Sequence, residues 1–415
     1  MNTHPSVQSG TSFTQKSDRQ KQGYAFAQRM TKTPRSFIRE ILKVTENPEI
    51  ISFAGGLPNP ALIDVEGIAN AAAAVLAEDG RSALQYSTTE GYRPLRQFIA
   101  ERYKKRLGLS VSPDEILITN GSQQCLDLIG KVLIDAGDHV AIERPGYLGA
   151  IQAFSLYEPC LHPVILREDG PDPVMLADVA GRYPLKLFYG VPNSQNPSGI
   201  TYSDERRREI AGILEGSGTL FVEDDAYGEL NFSGRSSPSV REFLPEQTII
   251  TGSFSKILAP GLRMGWVVAP PEVMEQIVVA KQASDLHSNY LSQRIAFEYL
   301  CRGKIDARVQ AISAAYKSQC DLMIRMFEEM LPESVTYTRP SGGMFVWLTL
   351  PDGISSMDVF KRALRQQVAV LPGTPFYVDG GGQNTLRVNF SNATPDKIRT
   401  GVERLSAVIR ELQDA

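Results

Sequence analysis

The chain has 415 residues, 42% hydrophobic and 22% charged, a globular composition with room for two domains or for one large and one small. A formal net charge of −4 offers no basic footprint for a nucleic-acid backbone. No apolar run approaches a membrane span, since Ala71–Ala77 is followed at once by Glu78 and Asp79. The stretch from Met1 to Gln22 is polar and has no signal-peptide core, and residues 1–30 read as a flexible arm. Cys125, Cys160, Cys301 and Cys320 lack C-x-x-C spacing and read as reduced thiols of a cytoplasmic protein. The four histidines lie far apart without H-E-x-x-H pairing, which argues against a dedicated metal site.

From Ser36, an N-cap residue, the apolar positions Phe37, Ile38, Ile41 and Leu42 have helical spacing. Ile51–Phe53 is a short strand running into Gly55-Gly56-Leu57-Pro58, a tight loop whose glycines also permit close backbone approach to a ligand. Helices are predicted at Gly67–Glu78, Gly91–Leu107, Gly121–Ile134, Tyr147–Tyr157 and Ser203–Leu214. Strands are predicted at Ile116–Thr119, His139–Glu143, Lys186–Val191, Thr219–Glu223, Thr248–Thr251 and Gly265–Ala269. Short β-rich runs separated by helices imply an α/β architecture with a mostly parallel sheet covered on both faces. Helical patterns continue over Pro271–His287 and Leu291–Leu331. Beyond Pro332 come strands at Val335–Thr338, Met344–Leu350, Ala369–Leu371 and Thr385–Phe390, with helices at Ser356–Gln367 and Pro395–Leu412. This change of texture indicates a smaller α+β domain, which the N-terminal segment joins. The expected division is 1–30 arm, 31–60 N-terminal helix and strand joining the small domain, 61–305 large domain and 306–415 small domain.

In open parallel sheets ligands sit beyond the carboxyl ends of the strands, so the residues after each strand matter most. Asn120-Gly121-Ser122-Gln123-Gln124 opens a helix and is either a plain cap or a phosphate cradle of backbone amides and a hydroxyl. Tyr147 offers a ring that packs or stacks on a flat heterocycle. Asn196, ahead of a proline, can donate to a phenolate oxygen. Asp224-Asp225-Ala226-Tyr227 is a solvated turn, a metal ligand, or a carboxylate pairing with a protonated pyridine nitrogen and a tyrosine on the ring oxygen. No histidine lies nearby in sequence to complete a ligand set for a metal there.

The densest stretch is Gly252-Ser253-Phe254-Ser255-Lys256, followed by Gly261-Leu262-Arg263. Small hydroxyls and an arginine suit a dianionic phosphate, and a lysine beside them reaches a carbonyl carbon next to that phosphate. Cationic neighbours would depress the lysine pKa and expose its amine. Pyridoxal 5′-phosphate (PLP), carried as a lysine Schiff base, combines a phosphate with an aldehyde. Taken alone, the pattern is also compatible with a solvated surface lysine.

Taken in order, these pieces resemble the fold-type I PLP-dependent aminotransferases (class I/II) from Phe37 to Leu412, and within them the α-aminoadipate/kynurenine aminotransferase branch. The closer match is carried by Ile38-Arg39-Glu40-Ile41-Leu42, Ser52-Phe53-Ala54-Gly55-Gly56-Leu57-Pro58, Gln85-Tyr86-Ser87 with Glu90-Gly91, Gly121-Ser122-Gln123-Gln124, Gly252-Ser253-Phe254-Ser255-Lys256, Gly342-Gly343-Met344-Phe345-Val346-Trp347 and Leu386-Arg387. The resemblance implies Lys256 as the Schiff-base and proton-shuttling residue, Asp224 as the pyridine-nitrogen partner, and Asn196 with Tyr227 on the ring oxygen. Tyr147 would stack on the ring, and Ser122, Gln123, Ser253, Ser255 and Arg263 would bind phosphate. Tyr86 would reach the phosphate in a neighbouring subunit, making a homodimer with shared sites. Arg387 would grip the substrate α-carboxylate, with Gly56 and Asn196 beside it and Arg39 meeting a distal carboxylate. Ser198 departs from the threonine usual in the Asn-Pro-x-Gly stretch, a change between two small hydroxyls.

The implied reaction moves the amino group of an L-amino acid (2-aminoadipate, aromatic or leucine-like) to a 2-oxo acid such as 2-oxoglutarate. One rival is a PLP-dependent lyase or decarboxylase on the same fold. A second is the effector domain of a transcription regulator, disfavoured because the roughly 50 residues before Gly55 lack helix-turn-helix patterning.

Overall fold

Runs rich in β-branched and aromatic residues form most of the strands. In chain order, β1 is Ile51–Ser52, β2 Ile116–Thr119, β3 His139–Arg144, β4 Cys160–Arg167, β5 Gly170–Pro171, β6 Leu185–Gly190, β7 Leu220–Asp225, β8 Thr248–Ser253 and β9 Gly265–Val268. The computed structural model describes residues 24–32 and 47–414. Residues 1–23 of the expected arm, and the helix expected at Phe37–Lys43 with Arg39, lie outside the described residues.

Eight strands form one sheet in the order β2-β9-β8-β7-β6-β3-β4-β5. Pairing is parallel through β8, β7, β6, β3 and β4. β9 lies antiparallel between β2 and β8, and β5 is an antiparallel edge. The helices are α1 (Gln28–Lys32), α2 (Val65–Ala83), α3 (Arg93–Leu107), α4 (Ser122–Leu133), α5 (Leu148–Ser155), α6 (Pro173–Arg182), α7 (Asp204–Leu214), α8 (Pro271–Asp285), α9 (Tyr290–Cys301), α10 (Ile305–Met330), α11 (Ser356–Arg365) and α12 (Pro395–Gln413). Side chains alternate across each strand, so the sheet feeds two cores. Leu187 and Val222 pack with Leu126 and Ile129 of α4 on one face. Phe188 and Phe221 pack with Leu176 of α6 and Ile210 and Leu214 of α7 on the other. Near-continuous apolar strands are what burial on both faces requires.

Past α10, the short strands β10 (Thr336–Tyr337), β11 (Phe345–Thr349), β13 (Leu371–Pro372) and β14 (Thr385–Asn389) form an antiparallel sheet in the order β10-β11-β14-β13, and β12 (Val368–Ala369) pairs in parallel with β1. Among the described residues, no helix is long and apolar enough to cross a membrane.

Three sequence expectations change. The helical pattern expected over Leu291–Leu331 divides into α9 and α10, because Gly303 takes a left-handed φ of 73° and ends the first. The strand expected at Ala369–Leu371 divides into β12 and β13, which belong to different sheets. The segment before Leu185, left without elements by the sequence, holds β4, β5 and α6. Pro163 reads as a breaker, yet β4 is bordered by β5 only at Leu166 and Arg167, so its missing N–H faces an open edge.

Candidate active site

The carboxyl ends of β2, β3, β6, β7 and β8 converge on one cavity of about 410 Å³. Its lining includes Gly56, Ser122, Gln123, Tyr147, Asn196, Asp224, Tyr227, Ser253, Ser255, Lys256, Arg263 and Arg387. Twelve of the fourteen residues singled out in the sequence therefore meet in one place. Tyr86 does not; it is 78% exposed and packs edge-on against His287, with ring centroids 5.8 Å apart. Arg39 lies outside the described residues.

At the β8 end, Lys256 donates from Nζ to the Gly56 carbonyl at 2.9 Å. Burial, reinforced by the positive charges of Arg387 and Arg263, brings the amine down to about 8. The carboxylate end of β7 is the counterpart. Asp224 lies opposite Thr251 of β8, and its Oδ2 accepts from the Tyr189 hydroxyl at 2.7 Å. Burial raises Asp224 to about 6, and the Tyr189 hydrogen bond opposes that rise. Its Oδ1 is buried and has no hydrogen-bond partner among the described residues. A buried acceptor without a donor is costly unless a ligand supplies one.

Helix α4 opens beyond β2 with Gly121 as its cap, at φ 84°, and no side chain caps its first turn. Those amide donors and the positive end of the helix dipole make an anion site. A Cβ on Gly265 would stand 2.7 Å from the Gly121 carbonyl carbon and the Ser122 nitrogen, so β9 and the helix start touch only because Gly265 has none. The turn is held from behind by Asp285, which accepts from Asn120 Nδ2 and Gln124 Nε2, each at 2.7 Å, and is paired with Lys281. Arg263 donates to the Asn120 and Pro260 carbonyls, each at 3.3 Å, which brings a guanidinium to the same corner.

On the opposite wall, β14 carries Arg387, fully enclosed between the rings of Phe345 and Phe376, 4.3 Å and 5.5 Å from the guanidinium carbon. Its NH1 donates to Asn196 Oδ1 at 2.9 Å and its NH2 to the Ala54 carbonyl at 2.7 Å. Burial lowers its pKa to about 10, which leaves it protonated at neutral pH. With Oδ1 taken, Asn196 turns Nδ2 toward the Tyr227 hydroxyl at 3.4 Å. Burial pushes the Tyr227 phenol above its ordinary value, so it remains a donor.

Sequence reasoning missed several lining or supporting residues. Tyr189 was hidden inside an apolar strand, although the β6–β7 register (Tyr189 opposite Val222) would have set it beside Asp224. Phe376 follows β13 in a short helical turn with no motif around it. Glu143, buried under the Asn196 loop, accepts from the Tyr202 hydroxyl, from Gln195 Nε2 at 3.1 Å and from the Val191 amide at 3.2 Å.

A cationic corner, a lysine with a depressed pKa, a buried carboxylate with one orphaned oxygen and an enclosed arginine fit one class of protein. The family Aminotransferase class I and II matches residues 55–405. The chain belongs to the class I and II aminotransferases, and its sheet is their fold-type I architecture. It is 44% identical over 393 residues to 2-aminoadipate transaminase of Thermus thermophilus, covering 94% of this chain and 97% of that one. The crystal structure of alpha-aminoadipate aminotransferase from Thermus thermophilus, complexed with N-(5'-phosphopyridoxyl)-L-leucine, superposes with a TM-score of 0.88 at 42% identity, over 94% of this chain and 98% of that one. Pyrococcus horikoshii kynurenine aminotransferase, in complex with PMP, gives 0.89 at 39% identity, over 93% and 97%.

Proposed function

We propose that the cavity holds PLP and that the enzyme moves the amino group of a 2-aminoadipate-like, aromatic or leucine-like L-amino acid to a 2-oxo acid such as 2-oxoglutarate. The observation that carries this reading is the meeting of Lys256, Asp224 and Arg387 in a single cavity. Bound PLP supplies the electron sink that acidifies the substrate Cα–H. Lys256 would be the base that takes that proton from the substrate Cα onto its Nζ, a task suited to an amine with a pKa of about 8. Asp224 pairs with the ring nitrogen, while Asn196 Nδ2 and the Tyr227 hydroxyl donate to the ring oxygen. Tyr147 stacks on the ring. Ser122, Gln123, Ser253, Ser255 and Arg263 hold the phosphate with the first-turn amides of α4. Arg387 grips the α-carboxylate as a fork, beside Gly56.

The same reading makes the enzyme a cytoplasmic homodimer in which Tyr86 serves the partner's cavity, consistent with its exposure. It also treats 61–305 as the PLP-binding domain and 306–415 as the small domain. Pairing of β1 with β12 supports joining β1, within the expected 31–60 segment, to the latter. Arg39 meets a distal substrate carboxylate and withdraws for apolar side chains. Its replacement by alanine should then raise KM for 2-oxoglutarate or 2-aminoadipate clearly more than for leucine or phenylalanine; equal losses would remove it from recognition.

A matrix of amino donors with 2-oxoglutarate tests the reaction. Glutamate and a matching 2-oxo acid should appear in equal amounts. Release of pyruvate with ammonia, or of carbon dioxide, would instead mark a lyase or a decarboxylase.

A further inference from the structure

Two side chains on neighbouring strands form a closed pair beneath the cavity. Tyr189 of β6 is fully buried, packs edge-on against Phe154 at 5.8 Å, and donates its hydroxyl to Asp224 Oδ2 at 2.7 Å. Burial and the adjacent Asp224 charge hold the Tyr189 phenol well above its ordinary pKa, which favours the phenol as the donor of the pair. Thr251 from β8 and the Ala226 amide also favour the ionised Asp224, less than Tyr189 does, while Asp225 next to it on β7 disfavours it. Cys125 of α4 and Tyr147 at the start of α5 also sense its charge. No cationic side chain stands among the main influences on this carboxylate, whose own burial favours the neutral acid.

We propose that Tyr189 is a positioning residue for Asp224, fixing the orientation of the carboxylate through Oδ2 and keeping it ionised for a cationic ring nitrogen. This rests on the role given to Asp224 under the proposed function. A neutral Asp224 would have no charge to offer that nitrogen, and an unanchored one would rotate. Tyr189 supplies a hydrogen bond to this carboxylate without placing a competing cation beside the ring.

Binding of pyridoxamine phosphate to the apoenzyme tests this, because that ligand has no aldehyde and needs no bond to Lys256. In Tyr189→Phe the acidic limb of the affinity–pH profile should move up by ~1 pH unit, a tenfold change in proton affinity, the size expected for losing a hydrogen bond to a charged group. In an Asp224→Asn background the same replacement should change nothing further. Replacing Tyr189 by 3,5-difluorotyrosine, a stronger donor of nearly equal shape, should move the limb down, and this variant serves if Tyr189→Phe does not fold. A limb unmoved in both Tyr189 variants, or equal losses with and without the Asp224 carboxylate, would overturn the assignment. If Asp224→Asn itself bound pyridoxamine phosphate as the wild type does, the role of Asp224 would fail first.

Discussion

At Lys256, burial does more than its neighbours to set the chemistry. The folded value of about 8 lies below the ordinary 10.5 for a lysine, because removing the ammonium from water costs more than the surroundings return. The folded apoenzyme therefore binds this proton less tightly than the unfolded chain does. Its stability should rise with pH between about 8 and 10.5, and Lys256→Met should flatten that rise in a series of melting temperatures. Lys256→Ala should abolish transamination while leaving the fold. Borohydride should fix PLP onto the Lys256 peptide of the wild type, and a label on another lysine would refute the role. Asp224→Asn should keep the fold and lose ~3 kcal/mol of transition-state stabilisation, about two orders of magnitude in kcat. Turnover at the wild-type level would remove Asp224 from the mechanism.

Among the elements, the start of α4 depends on a contact that sequence hides. Gly265 belongs to β9, more than a hundred residues away, yet a methyl there would overlap the backbone of Gly121 and Ser122 at 2.7 Å. Gly265→Ala should displace the first turn of α4 and weaken pyridoxamine phosphate binding at least tenfold, at a stability cost of about 1–3 kcal/mol. Gly261→Ala, with nothing within 4 Å of the new carbon, is the control that should bind normally. The end of β3 behaves differently. Burial lifts Glu143 to about 7 from an ordinary 4.5, so the folded state holds that proton more tightly than the unfolded chain. Its contribution to stability is full below about 4.5 and is lost as pH rises through about 7. Glu143→Gln should shrink that decline, read as melting temperature against pH; an unchanged slope would show that Glu143 does not titrate there.

For the whole molecule, the proposed dimer has a test independent of any single active site. Tyr86 lies on an exposed surface outside the cavity that contains Lys256. If Tyr86 completes a partner's cavity, mixing inactive Tyr86 and Lys256 variants should restore up to a quarter of the sites, since random exchange makes half the dimers mixed, each with one intact site. No recovery after demonstrated subunit exchange would confine both residues to one chain's function.

Sequence was enough to locate the chemistry because hydroxyls, Lys256 and Arg263 gather within about a dozen residues, and because Ser122, Tyr147, Asn196 and Tyr227 each follow a strand whose apolar run is legible. Parallel strands share one carboxyl edge, so order along the chain became proximity in space. Period-2 and helical patterns are local, and they placed most elements within a few residues of their bounds. What only the tertiary structure decided depends on register and burial. Sheet order brought Tyr189 beside Asp224 and Thr251 opposite it. The approach of β14 to the Asn196 loop enclosed Arg387 between Phe345 and Phe376. The pKa values of Lys256, Asp224 and Glu143 follow from desolvation, which no sequence spacing records. Pro163 stands inside a strand because that strand has an open edge, a property of its neighbours rather than of its own residues.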